Sequence, residues 1–372
     1  MDAQIARRNY IDWARGIAVL LMIEAHTTDA WTRANAKQTV AFGFLVVLGG
    51  FAAPLFLWLA GVGVTLAASR TAARTGSRAR AVDAACRRGL EIFLLAFLFR
   101  LQAFVLSPGG PAIKLFRVDI LNVMGPAMVL AGVLWIVADS PRWRATVYAL
   151  AAALIAMTTP LVRAAPAVAR LPVWFQWYVR PAGEYTTFTL FPWAGFVFAG
   201  AAVGALVAAV RGSDIERRLH VGFTIAGALL IVGGFLLATR PSIYSNAWFW
   251  TTSPTWFAIR VGILMLVLTV CFGVEQIESS WRPLRSWQHP LAKIGRSSLF
   301  IYWIHVELVY GYASWLWRGR LPLWGTVAGY AAFCVLMYGA VILRDRLVET
   351  WRRIGPGPQS TIRNAQSAIR NV

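Results

Sequence analysis

The chain has 372 residues, 58% hydrophobic and only 14% charged, and its 36 Lys and Arg against 16 Asp and Glu leave a net charge of +20. Long apolar runs recur along the whole length, which excludes an ordinary water-soluble domain and points to a polytopic membrane protein. The basic excess sits mainly as arginine in short segments between those runs. It reads as topology signalling rather than a nucleic-acid surface, with some arginines left to hold an anionic ligand.

Windows of about 20 apolar residues mark ten spans, near 11–30, 41–69, 89–106, 118–138, 145–162, 189–210, 220–239, 257–275, 293–313 and 322–343. The first has no small-residue cleavage site and runs on into polar residues, so it is expected to remain as a span. The second contains Pro54 in "GGFAAPLFLWLAGVG", where a kink is expected. The fifth is bounded by Pro160 and Arg163. Arg70, Arg74, Arg78, Arg80, Arg87 and Arg88 fall on the same side as Arg142, Arg144, Arg217, Arg218 and the C-terminal Arg344, Arg346, Arg352 and Arg353. That side is cytoplasmic by the positive-inside rule, as are both termini. The expected fold is therefore all-α, with about ten transmembrane helices in one domain over residues 1–354. The polar tail 355–372, "GPGPQSTIRNAQSAIRNV", is expected to be disordered. The opposite loops, near 163–188 and 240–256, are rich in Trp and Tyr, as an interfacial belt requires. Three scattered cysteines, Cys86, Cys271 and Cys334, support neither a disulfide framework nor a metal site.

The first span is chemically unusual. It carries Arg15, Glu24 and His26, each costly in hydrocarbon and so each in need of a partner or a task. Arg15 and His26 are eleven residues apart, which places them on one helix face roughly 16 Å apart in height. Asp29, three residues after His26, is near enough to orient the imidazole. Glu24 points elsewhere and calls for an arginine from another helix, with Arg100, Arg117 and Arg260 as candidates. A late span adds Ser298, Tyr302, His305 and Tyr312 close to one face, as a cavity lining or as interhelical hydrogen bonds. Asp119 in "RVDILN" opens the fourth span on the His26 side, either to orient His26, bind a hydroxyl of a ligand or pair with an arginine.

"DWARGIAVLLMIEAH" and "LAKIGRSSLFIYWIHVELVYG" resemble the opening and late helices of the acyltransferase-3 family. "FAAPLFLWLAGVGVTL", "FRVDILNVMGPAMVL" and "FPWAGFVFAGAAVG" are more similar to the related heparan-α-glucosaminide N-acetyltransferase branch. The resemblance is spread over most of the chain in matching order. It departs in one respect: the branch's animal members are expected to carry the catalytic His in a loop beyond the first span, whereas His26 stands at the acyltransferase-3 position.

The resemblance implies transfer of an acyl group, acetyl by family default, from cytoplasmic acyl-CoA to a hydroxyl or amine of a glycan or lipid-linked sugar at the outer face. It implies residence in the cytoplasmic membrane of a bacterium, with no metal and no nucleic-acid partner. Arg15, Arg87 and Arg88, with Ser298 and Tyr302, become candidates for holding the polyanionic donor. His26, supported by Asp29, Glu24, Asp119 and His305, becomes the candidate base or acyl acceptor. Arg260 and Asn122 become candidate acceptor contacts. The rival reading is a proton-coupled solute transporter relaying protons through Glu24, His26, Asp119 and His305.

Overall fold

The apolar runs fold as helices throughout the computed structural model, which describes residues 8–106, 111–210, 212–280 and 285–354. The tail expected over 355–372 lies outside the described residues. In chain order the helices are α1 (Asn9–Trp31), α2 (Val40–Gly49), α3 (Ala52–Thr75), α4 (Arg78–Leu106), α5 (Ile120–Leu134), α6 (Pro141–Ala164), α7 (Pro166–Ala169) and α8 (Val173–Val179). They continue with α9 (Leu190–Ala209), α10 (Ser213–Ala238), α11 (Pro254–Ser280), α12 (Arg285–Arg296), α13 (Ser298–Tyr310) and α14 (Leu323–Ile354). Isolated bridges replace strands among the described residues.

Each of the ten apolar segments coincides with a helix or a pair of helices, but α1, which carries Asp12, Arg15, Glu24 and Asp29, is not among the described helices long and apolar enough to cross a membrane. Seven stretches among the described residues are long and apolar enough to cross a membrane: Val40–Thr75 taken together, α4, α6, α9, α10, α11 and α14. The apolar helices α5 and α13 are shorter. Two spans expected to be continuous are interrupted. The kink anticipated at Pro54 falls instead at Gly50–Phe51, leaving Pro54 in the first turn of α3, where its missing N–H breaks no intrahelical bond. Ser297, at φ −100° and ψ 14°, separates α12 from α13. Pro160, by contrast, lies inside α6 without ending it.

The position of α1 explains how it tolerates so many polar groups. It packs against α2, α3, α11, α12, α13 and α14, and most of its residues are buried by protein. Its charges therefore face other helices or a cavity rather than lipid. Lipid-facing surface lies elsewhere: Leu90, Leu94, Leu98, Leu101 and Val105 form an exposed apolar stripe along α4.

Small residues draw the central helices together. A Cβ added at Gly200 of α9 would stand 1.8 Å from the Trp58 carbonyl oxygen on α3, and one at Gly61 would stand 1.9 Å from that of Val197. The same device joins α12 to α1, where a Cβ at Gly295 would meet the Asp12 carbonyl oxygen at 2.0 Å. Such backbone contact is the usual route to tight helix association in membranes, where water exclusion offers no help.

Candidate active site

Between α1, α3, α4, α5 and α13 lies a cavity of about 1370 Å³, closed along one flank by α2. Arg15, Arg88, Arg296 and Ser298 line one end; His26, Asp29, Asp119 and Tyr310 line the other. The two ends are separated by the roughly 16 Å of α1 between Arg15 and His26. Residues 298, 302, 306 and 310 of α13, spaced four apart, form one wall.

The polar centre of the cavity is a three-residue chain. The Tyr310 hydroxyl donates to Asp29 Oδ2 at 2.9 Å and lies 3.0 Å from His26 Nδ1. Asp29 is largely exposed and pairs with Lys37 at 3.5 Å. A tyrosine has one proton to donate, and here Asp29 receives it. The Tyr310 oxygen therefore accepts from His26, which assigns the imidazole proton to Nδ1 and leaves Nε2 with a free lone pair. Asp29 thus reaches His26 through Tyr310 rather than by contact along α1.

His305 stands behind this group. It is fully buried, its ring centroid is 5.2 Å from that of His26, and its Nδ1 donates to the Ile301 and Tyr302 carbonyl oxygens at 2.9 and 3.0 Å. It is not among the cavity-lining residues, whereas Tyr302 is, its ring packed 5.2 Å from Phe99.

The other sequence candidates separate into cavity residues and scaffold. Arg15 lines the cavity, pairs with Asp12 at 3.4 Å and lies over Gly63. Arg88 also lines the cavity, with Glu91 beside it at 2.9 Å. Arg87 points away, 74% exposed and paired with Asp83. Asp119 lines the cavity, pairs with Arg100 and caps the N-terminus of α5 in a reciprocal box with Asn122, whose Oδ1 accepts from the Asp119 N–H at 3.0 Å. Asn122 itself is buried in that cap.

Arg260 is not among the cavity residues. It is buried between the rings of Phe51 and Trp256, at 4.5 and 4.7 Å, and donates to the Gly50 carbonyl oxygen. That carbonyl is freed by the α2–α3 break, so the arginine serves the break. Glu24 departs from expectation: no ion pair holds it among the described residues. Its Oε1 accepts from Thr28 Oγ1 at 3.0 Å, and Oε2 is packed against Gly49.

Tyr310, Arg100 and Arg296 escaped the sequence reading as site residues. The stripe proposed there ended at Tyr312, which lies beyond the end of α13 in a 3-10 turn and is 65% exposed. Steps of four from Ser298 lead to Tyr310 instead, and that spacing was the available signal.

The sequence pattern described as heparan-alpha-glucosaminide N-acetyltransferase, catalytic, matches residues 7–238, from just before α1 to the end of α10. The chain belongs to this acetyltransferase family. The family assignment and the apolar helices agree on a membrane-embedded acetyltransferase, and the family takes its acetyl group from acetyl-CoA. The transporter alternative finds no support in either. No curated protein matches the chain. The matched region contains Arg15, His26, Asp29 and Asp119, but Ser298, Tyr302, His305 and Tyr310 lie beyond it. The α13 half of the His26 site is thus contributed from outside the matched residues.

Proposed function

We propose that the protein transfers an acetyl group from cytoplasmic acetyl-CoA to a hydroxyl or amine of a sugar at the outer face of a bacterial cytoplasmic membrane. The observation that carries the reading is the Asp29–Tyr310–His26 chain inside a cavity that also reaches Arg15. Both termini are cytoplasmic in this reading, so Arg15, Arg88 and Arg296 face the side where coenzyme A is made. Their guanidinium groups suit its phosphates, with Ser298 beside them. The pantetheine arm extends along the α1 face past Tyr302 and brings the thioester towards His26.

There, His26 Nε2 takes the proton of the acceptor hydroxyl or amine as that atom bonds to the thioester carbon. The carbon–sulfur bond breaks, and the departing thiolate takes the same proton from His26. Tyr310 and Asp29 hold the imidazole in the tautomer this requires and stabilise the imidazolium that forms in passing. His305 supports the His26 ring from behind, and Asp119 holds the adjoining end of α5.

The test is single-turnover acetyl transfer in proteoliposomes, with acetyl-CoA on one side and amino-sugar acceptors on the other. His26→Ala is expected to lower the rate by about 10²- to 10⁴-fold while thermal stabilisation by coenzyme A persists. Wild-type turnover in that variant rejects the assignment of His26. Arg15→Gln is expected to weaken coenzyme A binding and leave the rate at saturating donor largely intact.

A further inference from the structure

The cavity wall carries six cations, Arg15, Arg88, Arg100, Lys114, Arg117 and Arg296, against the carboxylates Asp29, Asp119 and Glu307. Arg15, Arg88 and Arg296 stand at the end assigned to the donor. The other three cations stand at the His26 end, and only Arg100 is matched there, by Asp119. Arg117 forms no ion pair among the described residues. Its Nη2 donates to Thr187 Oγ1 at 2.9 Å, a bond that fixes the guanidinium without neutralising it. The backbone beside it is held by Val118 N–H to the Tyr185 carbonyl at 2.9 Å and Thr187 N–H to the Val118 carbonyl at 3.1 Å. Lys114, on the 3-10 turn Ala112–Phe116, also has no ion pair among the described residues. Phe188 and Trp193 line the same end, edge to face with centroids 4.8 Å apart.

An unmatched, geometrically fixed guanidinium beside a lysine favours an anion, and a Trp–Phe corner offers a face for a sugar ring. The donor's phosphates do not account for this pair, since they are met by the arginines at the opposite end. We infer that Arg117 and Lys114 form an anion subsite for the acceptor, which is therefore a sugar bearing a phosphate or a carboxylate. This rests on the proposed reading, in which the donor enters from the Arg15 end.

The experiment is a thermal-shift titration of the full chain in nanodiscs, in saturating coenzyme A, with glucose 6-phosphate, glucuronate and glucose as probes. One or both acids are expected to stabilise the protein and glucose is not; the stronger acid identifies the anion. Arg117→Gln and Lys114→Gln should each weaken the acid's apparent affinity about tenfold, the size expected for one charged hydrogen bond. Arg15→Gln should leave that affinity unchanged. The inference falls if neither acid stabilises, if glucose does as well, if Arg117→Gln binds the acid like wild type, or if coenzyme A competes with it. Because binding is read without turnover, failure of the His26 chemistry would show separately, in the transfer assay of His26→Ala.

Discussion

Tyr310→Phe isolates the hydroxyl that joins Asp29 to His26. The ring itself should stay, since it packs edge-on to His26 at 5.5 Å between centroids. What is lost is the acceptor for the His26 Nδ1 proton and the link to the Asp29 carboxylate, at 3.0 and 2.9 Å. Asp29 keeps Lys37 and solvent, so the loss falls on the imidazole. A hydrogen bond to a charged group contributes about 1.5–3 kcal/mol. If that stabilisation is felt when His26 becomes an imidazolium, kcat should fall about 10- to 150-fold, less than for His26→Ala. The KM for acetyl-CoA should hold, because Tyr310 is far from the Arg15 end. Single-turnover transfer measured alongside a thermal melt separates the two effects. A kcat within twofold of wild type would refute the relay. A large drop in melting temperature with an equal loss of folded protein would show that the hydroxyl is structural instead.

Three further outcomes follow from the packing. Gly200→Ala forces a methyl group into the Trp58 carbonyl and should destabilise by about 1–3 kcal/mol or more, whereas Gly233→Ala on α10, with nothing near its Cβ position, should melt like wild type. Equal melting of the two variants would contradict the close α3–α9 contact. Arg260→Lys loses the planar stack between Phe51 and Trp256 and the fixed donor to Gly50, a change expected to cost about 1–3 kcal/mol; an unchanged melt would remove Arg260 as the clamp of the α2–α3 break. Glu24→Gln preserves the acceptor for Thr28 and introduces no charge, so its cost should not exceed about 1–3 kcal/mol, that of one buried unpaired amide group, while Glu24→Lys should prevent accumulation of folded protein. A strong loss in Glu24→Gln would mean that a cation holds this carboxylate.

The sequence by itself determined where the apolar helices lie. Crossing hydrocarbon demands about 20 apolar residues with their backbone groups satisfied internally, and that demand is written locally. It also determined that α1 is exceptional, because Arg15, Glu24 and His26 are legible as a costly set in any such run. The break at Gly50–Phe51 was legible only as a kink near Pro54, and the one at Ser297 was not read at all, since each is sustained by a distant group, Arg260 for the first and Arg344 for the second. Pairing was the least legible of all. Tyr310 meets His26 across 284 positions of chain, and only the packing of α13 against α1 brings the two together. Arg100 and Asn122 claim Asp119, and Thr28 rather than an arginine meets Glu24, for the same reason. Hydrophobicity is a property of each segment alone, whereas the partner of a buried polar group depends on which helix faces it, and that is decided only when the bundle closes.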